Sequence, residues 1–540
     1  MRRLFAYKPS LYFILSSVSL LISLFQGVGE DSFFYVNNYS HFLSNPQSSM
    51  YDMQWYLTFV LGDLIGLDTI IKARLAGMVM LMCCWLLSFF ILRPYIDGGR
   101  LGFGLFLSTL GVYGAPMEIG YNHFTVLSIL LVCLFVILSL KHRCFCFIAG
   151  LITSIMIFFR FPNVILECIG VVYFLYHFID SAYNLKRATL SMLLFIIGSI
   201  FGVLLVYLIM NYLGHWDLFI SAIGNSIMNA GSDSDNIHGS LSLIMKYIKT
   251  YSVPVILFLL SVSCYAFYEV RKLSLIIHSS AGKRVAKVIF LLVLTSLTFY
   301  VSKSAAVLFW TVSIPSVIII LTGRDFVPQI RLIAIFAIIM VLIAPIGSFS
   351  IMSFYGPLLF WIAIPLSIML YGKGLKYKGI YFDNLFRYAI HISLIIVLIK
   401  NLLFISHSLY YDDRRWNAFY PIHSKICSGV FTNKKKAEEY NNMIDKLKPL
   451  IPDNTPLVTN KSHIRGLMNT APYGLSGAWI PKGQIPFLLS NAYKEQKRYP
   501  WVLDSGNDFD MVKHCLGLTN DDYICIAEYQ GMKLYKPKED

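Results

Sequence analysis

The sequence predicts a polytopic α-helical membrane protein of about 13 transmembrane helices, with interfacial helices in its first outer loop and a small C-terminal α/β extracytoplasmic domain. Three observations lead there. Of 540 residues, 56% are hydrophobic and 14% charged, whereas soluble domains carry nearer a quarter charged. Apolar runs of about 17–25 residues, long enough to cross a bilayer, recur over the first 406 positions, and mean hydropathy is +0.63. From there on the text turns polar and turn-rich. The expected division is a membrane module over 1–406 and an exported domain over 407–540.

The expected spans are 9–27, 75–92, 101–115, 122–140, 144–159, 163–180, 188–212, 252–269, 287–302, 305–322, 330–347, 354–371 and 387–406. The first is followed by acids and aromatics with no small-residue cleavage site, so it reads as a retained helix. No internal repeat is visible, which argues against inverted-repeat transporters.

Charge sets the orientation. Arg2, Arg3 and Lys8 place the N-terminus in the cytoplasm. Arg93, Arg100, Lys141, Arg143, Lys186, Arg187, the 271–287 cluster, Arg324, Arg331 and the 373–387 cluster then fall on the same side. The far side holds few cations, chiefly Lys72, Arg74, Arg160, Lys246, Lys249 and Lys303. This bias fits an odd number of spans in a plasma (inner) membrane and an exported tail. It also accounts for the net charge of +15 without a nucleic-acid partner.

The ten cysteines carry no metal-ligand spacing. Seven lie in or beside apolar spans, where cysteine acts as a small hydrophobe. The tail holds Cys427, Cys515 and Cys525, enough for one disulfide at most. Short strand patterns at Pro456–Asn460, Tyr523–Glu528 and Met532–Tyr535, with Gln530-Gly531 as a hairpin turn, predict the α/β domain. The run Lys434-Lys435-Lys436 reads as a solvated helix face.

The first outer loop, 28–74, carries the chemistry. It opens Gly29-Glu30-Asp31-Ser32-Phe33-Phe34-Tyr35, placing two acids where the first span emerges. Acids at a membrane boundary call for a reason. Asp31 or Ser32 is positioned to cap a new helix. Ser49 to Leu57, with Tyr51, Asp52, Trp55 and Tyr56, reads as an amphipathic helix in the interface plane. Lys72-Ala73-Arg74-Leu75 returns the chain to the membrane.

This order resembles the GT-C superfamily of glycosyltransferases, which use polyprenyl-phosphate sugars and include protein O-mannosyltransferases and lipid A aminoarabinose transferases. The matching text is Glu30-Asp31 with Tyr35, Tyr51-Asp52 through Trp55-Tyr56-Leu57, and Ala73-Arg74-Leu75. Many members place a Pro-Pro element before the second amphipathic helix, where this chain has Pro46-Gln47. The resemblance implies an inverting transfer of sugar from a polyprenyl-phosphate donor to an extracytoplasmic glycan, lipid or protein.

Such a transfer needs a base for the acceptor proton and cationic support for the leaving phosphate. By resemblance the base is Asp31, with Glu30 as fallback, since neighbours on a helix point in different directions and only one can face a cavity. Asp52 and Glu118 are candidates for a second acid that orients the acceptor. Arg160, Arg74 and Lys72 are candidates for the donor phosphate. Tyr35, Asn122 and His123 would line the cavity. No metal ligand is assigned, and a divalent metal, which Glu118 and His123 would help Asp31 to hold, stays open. Asp217, Asp233, Asp235 and His238 lie in a second outer loop that reads as a gate or as a plain flexible connection. Glu167, two helical turns after Arg160, is a candidate to pair with it. Two other classes fit less text. A polysaccharide polymerase or ligase would put its large outer loop between late spans. A transporter of lipid-linked glycans would carry several ionisable residues deep in its spans, where Glu167 and His391 are the main ones.

Overall fold

Pro9 opens the first helix, α1 (Pro9–Ser23), a position where its missing N–H costs nothing. The computed structural model describes residues 7–112, 116–180, 185–228, 313, 316–321, 326–344, 356–370, 376–377, 380–381, 398–399, 402–403, 411–412, 414–475, 480 and 482–538. The spans expected at 252–269 and 287–302 lie outside the described residues, with most of 305–322 and 387–406. So do Asp233, Asp235, His238 and His391.

After α1 the first loop folds as α2 (Glu30–His41), a 3-10 segment Pro46–Trp55, and α3 (Tyr56–Leu64). The chain continues with α4 (Ile70–Leu92), α5 (Gly98–Gly111), α6 (Tyr121–Ser139) and α7 (Cys144–Phe159). A 3-10 turn Phe161–Glu167 leads into α8 (Cys168–Asp180), followed by α9 (Leu185–Tyr212), α10 (Trp216–Met228), α11 (Pro328–Ile338) and α12 (Ala363–Leu370). Among the described residues four helices are long and apolar enough to cross a membrane: α4, α6, the Phe161–Phe178 run and α9. The second loop begins as a helix, because α10 packs against the Pro46–Trp55 segment.

The outer face of α9 suits lipid. In α9 the buried residues are Ala188, Ser191, Phe195, Gly198, Gly202, Val206 and Met210, while Leu193, Ile197, Ile200, Leu204 and Leu208 are exposed. In water that pattern would be inside out. In a bilayer, where apolar side chains gain little from hiding, small residues let helix backbones approach and bulky ones face the acyl chains. Gly150 on α7 and Gly198 on α9 mark the contact, since a Cβ on either would strike the other helix's backbone carbonyls.

The C-terminal domain comprises α13 (Lys434–Leu447), β1 (Pro456–Val458), α14 (Ser462–Met468), β2 (Ala471–Pro472), α15 (Ile485–Gln496), β3 (Trp501–Asp504), α16 (Asp508–Leu516), β4 (Tyr523–Tyr529) and β5 (Met532–Pro537). The sheet order is β2-β1-β3-β5-β4, with β1 parallel to β2 and β3, and β5 antiparallel to β3 and β4. Leu457, Val502, Leu503 and Leu534 are its buried centre. Gln530 and Gly531 are both left-handed, at φ 51° and 79°, as a two-residue hairpin turn of this hand requires. The three tail cysteines are free thiols, so the one disulfide the sequence allowed is not formed. Lys434 and Lys435 are exposed as expected, but Lys436 is half-buried and tied to the first loop.

One apolar core joins that loop to the domain. Val28, Phe33, Val36 and Tyr39 share it with Ile426, Ile444, Ile464 and Leu467. The loop is therefore held between the membrane helices and the C-terminal domain.

Candidate active site

The site starts at Gly27, whose φ of 77° turns the chain out of α1. A Cβ there would strike Asp412, and one on Gly29 would strike the Tyr411 ring. The 26–30 backbone is clamped from that side. Tyr411 N–H donates to Gln26 O at 3.0 Å, and Lys436 Nζ donates to Val28 O. Lys436 also lies 3.6 Å from Asp412, which accepts from Thr432 and Asn433.

Gly29, in extended conformation, is the N-cap of α2, so neither Asp31 nor Ser32 has the capping role the sequence suggested. Glu30 and Asp31 fill the first turn, where the helix dipole favours negative charge. Their fates differ. Glu30 Oε2 accepts from His463 N–H at 3.1 Å and from Ser462 Oγ, and Oε1 pairs with His463 Nδ1. Burial pushes the Glu30 carboxyl up, but the His463 ring and these donors outweigh it and hold it at about 2. Asp31, half-buried, has no hydrogen-bond or ion-pair partner among the described residues. Burial, then the charges of Glu118 and Glu30, push its carboxyl up to about 7. A carboxylate poised there suits a general base.

The 116–120 turn lies against the loop, as expected. Met117 N–H donates to Gln26 Oε1 at 3.0 Å, Ile119 N–H to Ala73 O at 3.0 Å, and Tyr39 Oη to Ile119 O. This brings Glu118 in, but as a structural partner. Its Oε1 accepts from Arg74 Nε at 2.8 Å and Ser32 Oγ at 2.6 Å, and its Oε2 accepts from Tyr411 Oη at 3.4 Å.

Arg74 is fully buried and its donors go to protein. Nη1 reaches Leu24 O at 2.8 Å and Nη2 reaches Gly27 O at 2.6 Å. The sequence offered Arg74 and Lys72 to the donor phosphate; here both side chains are paired with protein groups. Arg74 is committed to the loop's own carbonyls and to Glu118. Lys72 points to solvent and pairs with Asp68 at 2.5 Å, one turn away on the helix entry.

Arg160 is buried at the end of α7, 6.0 Å from the Tyr121 ring, with Nη1 donating to Ala344 O at 2.5 Å. Tyr121 stacks on Trp55 at 5.1 Å and lies 6.1 Å from Tyr35, which is one turn beyond Asp31 on α2. Tyr35 packs on Gly120. Tyr35, Tyr121 and Arg160 thus lie in series, with Asp31 one helical turn before Tyr35. Asn122 is buried at the head of α6. His123 accepts the Gly120 N–H on Nδ1 at 3.3 Å, and so serves as a cap for α6. Glu167 accepts from Ser199 Oγ at 3.1 Å and does not pair with Arg160.

Asp52, offered by the sequence as an acid that orients the acceptor, is completely buried. The residue it serves was not legible in the sequence. Arg465, on α14 and 1% exposed, is pulled down by burial to about 10, while Asp52 and Glu30 favour its charge. It remains a cation at neutral pH. Ser462, His463, Tyr411 and Lys436 were missed for the same reason, since all lie in the polar tail.

The acids do not gather into a metal site. Glu118 is spent on Arg74 and Glu30 on α14, and among the described residues no three His, Cys, Asp or Glu side chains converge.

No family model and no curated protein matches the sequence. Among solved structures, the chain is similar to the crystal structure of ArnT from Cupriavidus metallidurans bound to undecaprenyl phosphate, with 12% identity and a TM-score of 0.49 over 97% of this chain and 96% of that one.

Proposed function

We propose that this chain is a membrane glycosyltransferase of the GT-C type, moving a sugar from a polyprenyl-phosphate donor to an extracytoplasmic glycan, lipid or protein. The observation that carries the reading is the state of Asp31. Of the acidic pair that opens the first loop, it is the member left without a hydrogen-bond or ion-pair partner among the described residues, and its carboxyl is pushed up to about 7. A half-buried carboxylate without a structural duty, at the lip of a membrane bundle, is a functional group by position.

In the proposed step an acceptor hydroxyl approaches Asp31. Its oxygen attacks the anomeric carbon as Asp31 takes its proton. The bond from that carbon to the phosphate oxygen breaks, and its electron pair leaves with the polyprenyl phosphate. One displacement inverts the anomeric centre. Arg160 is the cation assigned to the leaving phosphate, on its place beside Tyr121, which in turn lies against Tyr35. An arginine fork suits phosphate oxygens. The N-terminus is proposed to be cytoplasmic and the site to face the opposite compartment, on the charge bias of the loops.

The test is to incubate the purified full-length chain in lipid nanodiscs with a panel of polyprenyl-phosphate sugars and membrane acceptors, and to read products by mass. One sugar added per acceptor supports the reading. Whole glycan chains joined would favour a ligase, and flux of lipid-linked glycan without a covalent product would favour a transporter.

A further inference from the structure

Glu30 and Asp31 are neighbours in the first turn of one helix, so their side chains leave the axis about 100° apart. Rotation of α2 about its axis decides which of them faces the cleft. Ser32 and Tyr39 tie other faces of α2 to Glu118 and to the Ile119 carbonyl. On the Glu30 face the constraint comes from the far end of the chain.

Glu30 is held by Ser462 and His463, 433 residues away from it in the case of His463. The His463 ring is itself fixed. It stacks on Tyr440 at 5.4 Å and 20°, and Phe33 lies tilted against it at 6.3 Å. Phe33 also meets Tyr440 edge-on at 6.2 Å, and it faces Gly466 of α14, where a Cβ would sit 2.6 Å from its ring. Phe33 is on α2, three residues after Glu30. The C-terminal domain thus grips α2 at two points on one face, a polar one and an aromatic one. Asp31 lies off that face.

We propose that His463 is a positioning residue: by capturing the Glu30 carboxylate it sets the rotation of α2, so that Asp31 and not Glu30 meets the acceptor. This rests on the reading of Asp31 as the base. The exported domain would then be part of the catalytic unit and not a separate binding module.

Charge follows geometry. The groups around the pair are Asp31 on α2, Glu118 from the 116–120 turn, Arg465 on α14, and Tyr440 and Lys436 on α13. Glu30 and Glu118 both favour the protonated form of Asp31. His463 Nδ1 pairs with the Glu30 carboxylate and holds it on the far face. Without that contact Glu30 is free to turn toward Asp31, Asp31 holds its proton more tightly, and the acidic limb of the rate profile moves to higher pH.

The test compares wild type, His463→Ala and His463→Asn, all full length in nanodiscs. Asparagine keeps a donor near the Nδ1 position and guards against simple misfolding. First, carboxyl groups are labelled with a carbodiimide and glycine ethyl ester, and Glu30 is followed by peptide mass. Glu30 is expected to be protected in wild type and His463→Asn, and labelled severalfold faster in His463→Ala. Second, transfer is measured against pH with the donor that wild type accepts. His463→Ala is expected to lose roughly 10- to 100-fold, the scale of a misplaced catalytic group, with the acidic limb displaced upward; His463→Asn is expected to recover most of the rate. Wild-type labelling of Glu30 as fast as at exposed Glu438 overturns the proposal. So does a His463→Ala enzyme with wild-type rate and pH profile. If Glu30 behaves as expected but wild type transfers from no donor, the positioning of α2 stands and the transferase reading falls.

Discussion

Arg74 and Glu118 form an ion pair, Nε to Oε1 at 2.8 Å, with neither side chain exposed. Taking both charges out of water is costly, and the cost is met here by further hydrogen bonds to Leu24 O, Gly27 O and Ser32 Oγ. The pair staples the loop opening, the head of α4 and the 116–120 turn together. Removing one partner leaves a buried charge alone, which costs about 3–5 kcal/mol. Arg74→Met and Glu118→Gln are each expected to lower unfolding stability by that order, and the double variant by less than their sum. Chemical denaturation in detergent, followed by fluorescence, measures this. A role on the donor phosphate would instead leave stability intact and weaken donor binding in Arg74→Met.

Asp31 should cost stability at neutral pH. An unfolded aspartate ionises near 3.8, whereas burial and two acidic neighbours push the folded one up to about 7. Between those values the unfolded chain has released a proton that the folded chain keeps, so stability falls as pH rises through the window. Asp31→Asn removes that loss. Its melting temperature is expected to exceed wild type at about pH 8 and to match it at about pH 4. Since ~1 kcal/mol moves the midpoint of a 150–250-residue domain by roughly 2–4 °C, a difference of a few degrees is the size sought. Glu30 has the opposite sign. Its carboxyl is held at about 2, against 4.5 in the unfolded chain, so its contribution is present above about 4.5 and lost as pH falls toward 2.

The contact between α7 and α9 should reject bulk. A Cβ on Gly198 would strike Phe147 O, a backbone atom that cannot step aside alone. Gly198→Leu is expected to cost at least the 1–3 kcal/mol typical of overpacking and to reduce the yield of monodisperse protein on size exclusion. Leu204→Ala, on the exposed face of the same helix, is expected to leave both unchanged.

The membrane helices were legible because their apolar runs are dictated by length and solvent. The runs at 122–140 and 188–212 became α6 and α9 with ends displaced by only a few residues. The head of α4 was hidden. Lys72 and Arg74 made it look like loop, while Thr69 caps the helix from Ile70 onward. The hairpin at Gln530-Gly531 was legible because its turn chemistry is local. The acidic pair was also visible, and so was its closeness to Glu118. Which acid is left over was not, because the choice is made by Ser462 and His463 in another domain. Arg74 shows the same limit. A cation at a membrane boundary reads as a phosphate ligand until Glu118, 44 residues on, is seen to take it. Asp52 reads as an acid for the acceptor, and the sequence does not show that its charge is felt by Arg465 in the tail. Charge pairs between distant segments leave no periodic trace.

The most direct measurement is the pH dependence of sugar transfer from a polyprenyl-phosphate donor by wild type and Asp31→Asn, with product identified by mass. Wild type is expected to gain rate through about pH 7 as Asp31 ionises, and Asp31→Asn, folded and still binding donor lipid, to lose about 10²–10⁴-fold. Transfer by Asp31→Asn at the wild-type rate and with the same pH limb would contradict the assignment of Asp31 as the base.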